Sequence, residues 1–393
     1  DNGATWSAVR PLNTTAFTDG GEDELPRIAT DRAGHWVAVW QSLEDLEETV
    51  GGDYDIFAAR STDGGATWTA PQVLDGYAFE DTSSDVRPDI ATDGDGLWLC
   101  VWETDDELGI GGGVDFDIAV ARSSDNGASW RAPAFLNSSA FTDTGDDRCP
   151  VLATDGDGHW LCAWTSWEDT NGLGTDYDIL FARSSDGGQT WSVARTLDDQ
   201  AFTDVGDDTL PVLATGGRGR WLAAWQTDDA RNNTIGSDFD LLAAWSTDNG
   251  ASWSPATPLN ANAAAVTETD TQPHVATDGR GHWLAAWSYA VSATNQDSDI
   301  YVARAVAQGA EGEEEGEREG ETEGGGGEGE GEGSGGGEGE SEGETEGEED
   351  PDIVTGCFQA VTGPPAFAAG DALALALAGI AMALAATLFT GRA

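Results

Sequence analysis

The sequence predicts an all-β chain: a β-propeller of four-stranded blades, followed by a single C-terminal transmembrane helix. Three observations carry this reading. A unit of about 62 residues recurs five times, each unit holds four short apolar segments separated by turn residues, and the middle segments are apolar on both faces. The repeat prolines Pro26, Pro88, Pro150, Pro211 and Pro273 are spaced by 62, 62, 61 and 62 residues, and Trp36, Trp98, Trp160, Trp221 and Trp283 keep that spacing. Such a period is too long for short helical repeats.

In the first unit the strands are LPRIAT (25–30), HWVAVW (35–40), DIFAARS (55–61) and TWTAPQVL (67–74). Within the second, Trp36, Ala38 and Trp40 face one way and Val37 and Val39 the other, so the strand must be covered on both sides. Sheets stacked face to face as blades meet that demand. The fifth unit ends after DIYVARA (299–305) without a fourth strand, while DNGATWSAVRPLN (1–13) is a fourth strand without a unit. The N-terminal strand is therefore expected to complete the last blade and remove its exposed edge. Residues 1–307 are assigned to this propeller, 308–356 to an acidic Gly/Glu-rich disordered stalk and 357–393 to a membrane anchor or sorting segment.

Charge narrows the functions. Against 73 acidic residues stand 17 basic ones, all Arg, for a net charge of -56, which excludes nucleic acid as a partner and lysine chemistry altogether. Residues 311–350 hold 18 Glu, one Asp and one Arg, so -18 belongs to the stalk and -38 to the rest. A segment of this kind extends by self-repulsion. Beyond it, residues 372–390 are 19 uncharged, mostly apolar residues, enough to cross a bilayer core of about 30 Å. With Arg392 after the run and the acid-rich stalk before it, the propeller is expected outside an exporting bacterial cell, held to the membrane. Of the four cysteines, Cys100 and Cys162 stand where other units carry Ala, and Cys149 lies among the loops of the third unit. Cys357, after Gly356 and before Pro364-Pro365, is a candidate processing or lipidation point, because this tail resembles bacterial C-terminal sorting signals.

The turn between third and fourth strands reads STDGGATW (61–68), SSDNGASW (123–130), SSDGGQTW (184–191) and STDNGASW (246–253), with DNGATW (1–6) as a clipped copy. Its Asp suits backbone N–H groups, its Gly a positive φ, and its Trp the root of the hairpin. Asp1, Asp63, Asp125, Asp186 and Asp248 with Trp6, Trp68, Trp130, Trp191 and Trp253 are thus structural. Over residues 1–305 the chain resembles the Asp-box, or BNR, repeats of sialidase-like β-propellers. That resemblance implies six blades, hence a further blade upstream of the clipped motif, and in an active member an arginine triad, a Tyr–Glu nucleophile pair and an Asp acid/base. The unrepeated candidates are Arg27, Arg87, Arg148, Arg231, Tyr77 and Tyr289, none of them in the family's Phe/Tyr-Arg-Ile-Pro context. By contrast Arg60, Arg122, Arg183 and Arg304 share one repeat position, and Tyr54, Tyr177 and Tyr301 alternate with Phe116 and Phe239. No residue is assigned a catalytic role.

In an up-and-down blade the 2–3 loops and the connections to the next blade share one face, and here that face is crowded with carboxylates. It opposes an anionic sugar. Two of its positions are Asp in all five units: three before the repeat Pro (Asp23, Asp85, Asp147, Asp208, Asp270) and the D-x-D at the third strand (Asp53/Asp55, Asp115/Asp117, Asp176/Asp178, Asp238/Asp240, Asp297/Asp299). Alternate residues point one way, so these pairs are candidate Ca²⁺ ligands, although Asp also simply suits turns and strand ends. The sequence therefore points to an exported, surface-anchored binding module that takes a glycan or protein ligand through its acidic face, with Ca²⁺ as its one candidate cofactor. An exo-sialidase-type glycoside hydrolase and a protein–protein scaffold are the alternatives.

Overall fold

The computed structural model describes residues 5–13 and 20–306, apart from 45–50, 75, 77, 79–82, 107, 109–114, 143, 168–172, 175, 232–233, 237, 261–262, 264–268 and 293–294. These residues fall in one compact unit of the chain, Asp1–Ser334. They form antiparallel sheets in sequence order. The first is β1 (Asp23–Thr30), β2 (Trp36–Ser42), β3 (Asp55–Ser61) and β4 (Gln72–Val73); the second is β5 (Asp85–Thr92), β6 (Trp98–Thr104), β7 (Asp117–Ser123) and β8 (Ala134–Phe135). The third is β9 (Asp147–Thr154), β10 (Trp160–Ser166), β11 (Asp178–Ser184) and β12 (Arg195–Thr196); the fourth is β13 (Asp208–Gly217), β14 (Arg220–Thr227), β15 (Asp240–Ser246) and β16 (Thr257–Pro258). A fifth sheet has three strands, β17 (Thr269–Thr277), β18 (His282–Ser292) and β19 (Asn295–Val306). Each sheet packs on the next through its first strand, β1 on β5, β5 on β9, β9 on β13 and β13 on β17. This is a propeller-like arrangement of blades.

The core lies between sheets. Trp98 and Trp102 of β6, Trp160 and Trp164 of β10, and Trp221 and Trp225 of β14 are fully buried. At roughly 200 Å² each, a Trp contributes about 5 kcal/mol of transfer free energy, against about 1 kcal/mol for a typical hydrogen bond. Packing of the middle strands therefore drives assembly, and the polar contacts fix its register. The fourth strand is shorter than the predicted 67–74. Thr69 N–H donates to Arg60 O (2.9 Å) and ladder pairing resumes only at Gln72 and Val73; the third sheet, with Ala194 in the place of Pro71, has a fourth strand equally short.

The Asp-box turns are self-contained hydrogen-bonded knots. Asp63 Oδ1 accepts from the Ser61 hydroxyl (2.8 Å) and the Thr67 amide (2.9 Å), while Oδ2 accepts from the Thr67 hydroxyl (2.6 Å). Asp125, Asp186 and Asp248 repeat the pattern. The turn also docks on the preceding sheet. A Cβ on Gly127 or Gly250 would stand 2.7 Å from Val37 or Leu161, and one on Gly188 would fall inside the Leu99 side chain. Each of these glycines holds a φ near +72, which no other residue adopts cheaply. Gly65 has no such neighbour within 4 Å.

The expected closure by the N-terminal strand is not what the structure shows. Residues 5–13 form no strand; Leu12 packs with Trp40 and Phe57 of the first sheet, and Asn13 Nδ2 donates to Asp23 Oδ2 (2.6 Å). Among the described residues β19 pairs only with β18, so Ile300 and Val302 are left 73% and 67% exposed. Leu12 and Asn13 meet the first sheet as Leu136 and Asn137 meet the third, but without the ladder pairing that β8 makes with β7. Trp6 is 89% exposed, whereas the other four box tryptophans are half-buried on the sheets. No helix among the described residues is long and apolar enough to cross a membrane. The apolar run 372–390, the stalk, Cys357 and Asp1 lie outside them.

Two outcomes are expected. Gly188→Ala combines a strained φ with overpacking against Leu99 and should cost about 3 kcal/mol, whereas Gly65→Ala should cost only the strain of about 1 kcal/mol. Equal losses in urea unfolding would show that the turn does not seal the sheets. The second concerns pH. The Ser252 hydroxyl and amide, helped by Ser246 and opposed by slight burial, hold Asp248 down at about 2. A carboxylate whose folded pKa is depressed stabilises above its unfolded pKa of about 4 and loses that contribution as pH falls through the folded value. The stability lost in Asp248→Asn should therefore be constant above about pH 5 and shrink between pH 4 and 2. A loss unchanged down to pH 2 would contradict the assigned bonds.

Candidate functional site

Each first strand carries a bulge just before the repeat proline. Pairing registers shift there, and Leu25, Arg87, Cys149, Leu210 and Gln272 adopt φ of 48, 53, 55, 53 and 57. A bulge turns its amide out of the ladder, and a buried N–H needs an acceptor. The preceding sheet supplies one from a single repeat position. Arg87 N–H donates to Gln41 Oε1 (2.9 Å), Cys149 N–H to Glu103 Oε1 (2.5 Å), Leu210 N–H to Thr165 Oγ1 (3.2 Å) and Gln272 N–H to Gln226 Oε1 (3.2 Å).

Only Glu103 in that series is charged, and it is fully buried. Two unrepeated arginines answer it: Arg87 Nη1 reaches its oxygens at 3.1 and 2.9 Å, and Arg148 Nη1 reaches Oε2 at 3.5 Å. Arg148 also bonds Asp146 (2.9 Å) and lies 3.9 Å over the Phe116 ring. Beside them Arg27 Nε stands 3.9 Å from Asp89, whose other oxygen accepts Leu152 N–H (2.8 Å). Burial pushes Asp89 up to about 6, against the pull of that amide and of Arg27. The Tyr54 hydroxyl donates to Glu24 Oε2 (3.4 Å), which also accepts from Gln41 Nε2 (3.1 Å). Burial, then the charges of Glu24 and Glu22, raise the Tyr54 phenol. Tyr177, raised by burial and Asp146, pairs with the half-exposed Trp167, their centroids 6.3 Å apart.

Three of the six unrepeated candidates, Arg27, Arg87 and Arg148, thus meet at one end of neighbouring first strands with side chains 17%, 24% and 18% exposed. The other candidates lie elsewhere. Arg231 bonds Asp198 and Asp199, Tyr289 stacks on Tyr301 at 4.3 Å, and Tyr77 is outside the described residues. Glu103 escaped the sequence reading. Its one signal is a carboxylate where the other units have Gln41, Thr165, Gln226 and Ser288. Cys149 beside it is no nucleophile, since burial and Glu103 push its thiol up to about 12.

The repeated aspartates gather at the junctions of consecutive sheets. The first-strand Asp donates its amide to the carbonyl of the middle residue of the D-x-D of the preceding sheet: Asp85 to Tyr54, Asp147 to Phe116, Asp208 to Tyr177 (each 2.6 Å) and Asp270 to Phe239 (2.7 Å). Asp55, Asp85, Asp117, Asp147, Asp178, Asp208, Asp240 and Asp270 are all buried. Asp53, Asp115, Asp176 and Asp238 flank them two residues upstream. At the second junction Asn137 Nδ2 donates to Asp117 and Asp147 (2.7 Å each), and at the fourth Asn260 Nδ2 donates to Asp240 (2.9 Å) and Asp270 (2.7 Å). At the third the same place holds Asp198. Burial and the neighbouring carboxylates push Asp178 up to about 8 and Asp204 up to about 6. Asp23 and Asp299, with no closing junction, are exposed, and the Asp297 side chain is outside the described residues. His35, His159 and His282 bond Asp31, Asp155 and Asp278 within their own turns and converge on no shared site.

Fold and turns together define an Asp-box, propeller-like protein. The chain belongs to the family of the BNR repeat-like domain, whose profile matches residues 34–270. A sialidase from Paraclostridium sordellii is 29% identical over 130 residues, which cover 30% of this chain and 31% of that enzyme. Among solved structures, a protein of unknown function from Dyadobacter fermentans matches with a TM-score of 0.49 and 15% identity, covering 73% of this chain and 84% of its own. The Hadza microbial sialidase Hz136 matches at 0.46 with 16% identity, covering 72% and 56% of the two chains. A GH93 α-L-arabinofuranosidase of Fusarium graminearum matches at 0.46 with 14% identity, covering 71% and 80%.

Glu103 tests the site's construction. In Glu103→Gln an amide oxygen still accepts the Cys149 N–H, whereas Glu103→Ala leaves that part-buried amide without its acceptor and takes a carboxylate from both arginines, Arg148 keeping Asp146. The alanine variant should be less stable than the glutamine variant by about 1–3 kcal/mol in chemical denaturation. Equal stabilities would mean that the bulge amide does not depend on this side chain.

Proposed function

We propose that the chain is a carbohydrate-binding propeller that takes a neutral glycan at the first-strand end, around Arg87, Arg148, Tyr54 and Trp167. The observation that supports it is the gathering of three unrepeated arginines around Glu103, Asp89 and Asp146 at partial exposure. Guanidiniums already paired with carboxylates offer fixed donors next to acceptors, which is what sugar hydroxyls need, and Trp167 with Tyr177 offers an apolar wall. The same pairing disfavours a sialic acid. An anionic sugar needs guanidiniums whose charge is still unspent, and here Glu24, Asp89, Glu103 and Asp146 already outnumber the three arginines.

A second reading, a glycoside hydrolase, is favoured by two contacts: the Tyr54 hydroxyl on Glu24, and Asp89 with its carboxyl at about 6 next to Arg27. Such groups suit a nucleophile pair and a general acid. Surface display completes the proposal. The Gly/Glu stalk would hold the propeller off a membrane reached by residues 372–390, outside an exporting bacterial cell.

Immobilised neutral and sialylated glycans, with methylumbelliferyl glycosides assayed on the same preparation, separate the readings. We expect neutral glycans to be retained without turnover, and Arg148→Ala to weaken binding at least tenfold while the fold persists. Turnover abolished by Tyr54→Phe would establish the hydrolase instead. Preference for sialylated glycans would refute the neutral ligand.

A further inference from the structure

The third junction differs from its neighbours in one atom type. At the second and fourth junctions the Asn137 and Asn260 amides donate to both buried aspartates and so bridge two negative groups. Asp198 occupies that place at the third and has no hydrogen to give. Its oxygens are taken by Arg231 and by the Gln200 amide (2.8 Å), and Arg231 spends its remaining bonds on Asp199 and the Ala256 carbonyl. Asp178 and Asp208 therefore face a third carboxylate where their counterparts face an amide.

Burial makes this arrangement costly. Asp208 is fully buried and stands near the Thr227 hydroxyl, yet neither of its oxygens accepts a hydrogen bond of normal geometry; Oδ1 of the equally buried Asp178 accepts none either. Asp204, carried on the connection from the third sheet, brings two more oxygens without a hydrogen-bond donor. Oxygens of Asp198, Asp204 and Asp208 all lie within 4.8 Å of one another. Three atoms within that span lie no more than about 2.8 Å from a common centre, so a small contraction of the cage brings all three to a Ca²⁺–oxygen distance of about 2.4 Å.

From this geometry we infer that the chain binds a single Ca²⁺ at the third junction, through Asp198, Asp204 and Asp208 with Asp178 beside them, the ion standing where the second and fourth junctions have a side-chain amide. The donors are all hard oxygens, with no His or thiol among them, which selects an alkaline-earth ion over zinc or copper. Several directly bound carboxylates in an irregular cage fit Ca²⁺ better than Mg²⁺, which keeps its waters and demands an octahedron. The sequence marks all five units alike as candidates. Among the described residues the structure singles out the third, because amides fill the second and fourth; Asp75, which has this place at the first, lies outside the described residues.

The test uses the full chain, stripped with EDTA and titrated with CaCl₂ in a calorimeter at pH 7.5, with thermal unfolding followed in parallel. The variant is Asp198→Asn, which installs the amide of the second and fourth junctions. We expect the wild type to take up Ca²⁺ saturably and to melt higher with it. The variant should lose one equivalent of Ca²⁺ per chain and its calcium-dependent rise in melting temperature, while in EDTA it still unfolds cooperatively. Weak binding to the acidic stalk is common to both chains and cancels in the comparison. A wild type without a calcium response, or a variant that keeps the full stoichiometry, would overturn the assignment.

Discussion

The bulge before each repeat proline is the constraint on which the rest of this protein depends. It releases one amide from the first strand, and in four of the five sheets a side chain of the preceding sheet's second strand accepts it. Each sheet thereby completes the hydrogen bonding of the next. The tryptophan layers supply most of the association energy, but a layer of rings tolerates small slips. A captured amide does not. The first-strand Asp amide, bonded to a carbonyl of the preceding sheet, adds a second fixed point a few residues away.

Much of this was legible in the sequence, because it follows from period and polarity. The fivefold unit, the middle strands and the Asp-box turns were read to within one or two residues; the second and third strands of the first sheet, predicted at 35–40 and 55–61, are Trp36–Ser42 and Asp55–Ser61. The fourth strand was read too long, since alternation in TWTAPQVL does not say which of its residues join the ladder, and only two do in each of the four-stranded sheets. Closure was misread for a different reason. Complementary halves at the two ends of a repeat array show that the halves match, but only packing decides whether they pair, and among the described residues the segment with Leu12 and Asn13 keeps its contacts to the first sheet without joining β19.

The candidate site was half legible. Departure from the repeat flagged Arg27, Arg87 and Arg148, and three separate units said nothing of their meeting until adjacent first strands brought them to one end. Glu103 stayed hidden because Gln, Glu and Thr at one position read as ordinary polar variation. Its significance lies in what must accompany it. A buried carboxylate needs countercharge, whereas Gln41 and Gln226 need none, so the arginines and Glu103 form one device. Asp198 with Arg231 obeys the same rule at the third junction, where Asn137 and Asn260 need no such cation.

The two ends of the sheets thus face different chemical demands, and this explains why one end repeats while the other varies. In the Asp-box turn, Asp must accept from a hydroxyl and from amides at once, Gly must hold a positive φ against the preceding sheet, and Ser must bond in both directions. No other set of side chains meets all three conditions, so the turn recurs almost unchanged. At the bulge the demand is only for an acceptor of suitable reach. Amide, carboxylate and hydroxyl serve equally, and the chain can place a charge there without losing the seam between sheets. Once a carboxylate is chosen, its neighbours must become basic and the symmetry of the array is broken locally. A repeat protein can in this way acquire a single asymmetric site at an end whose structural requirement is met by several side chains.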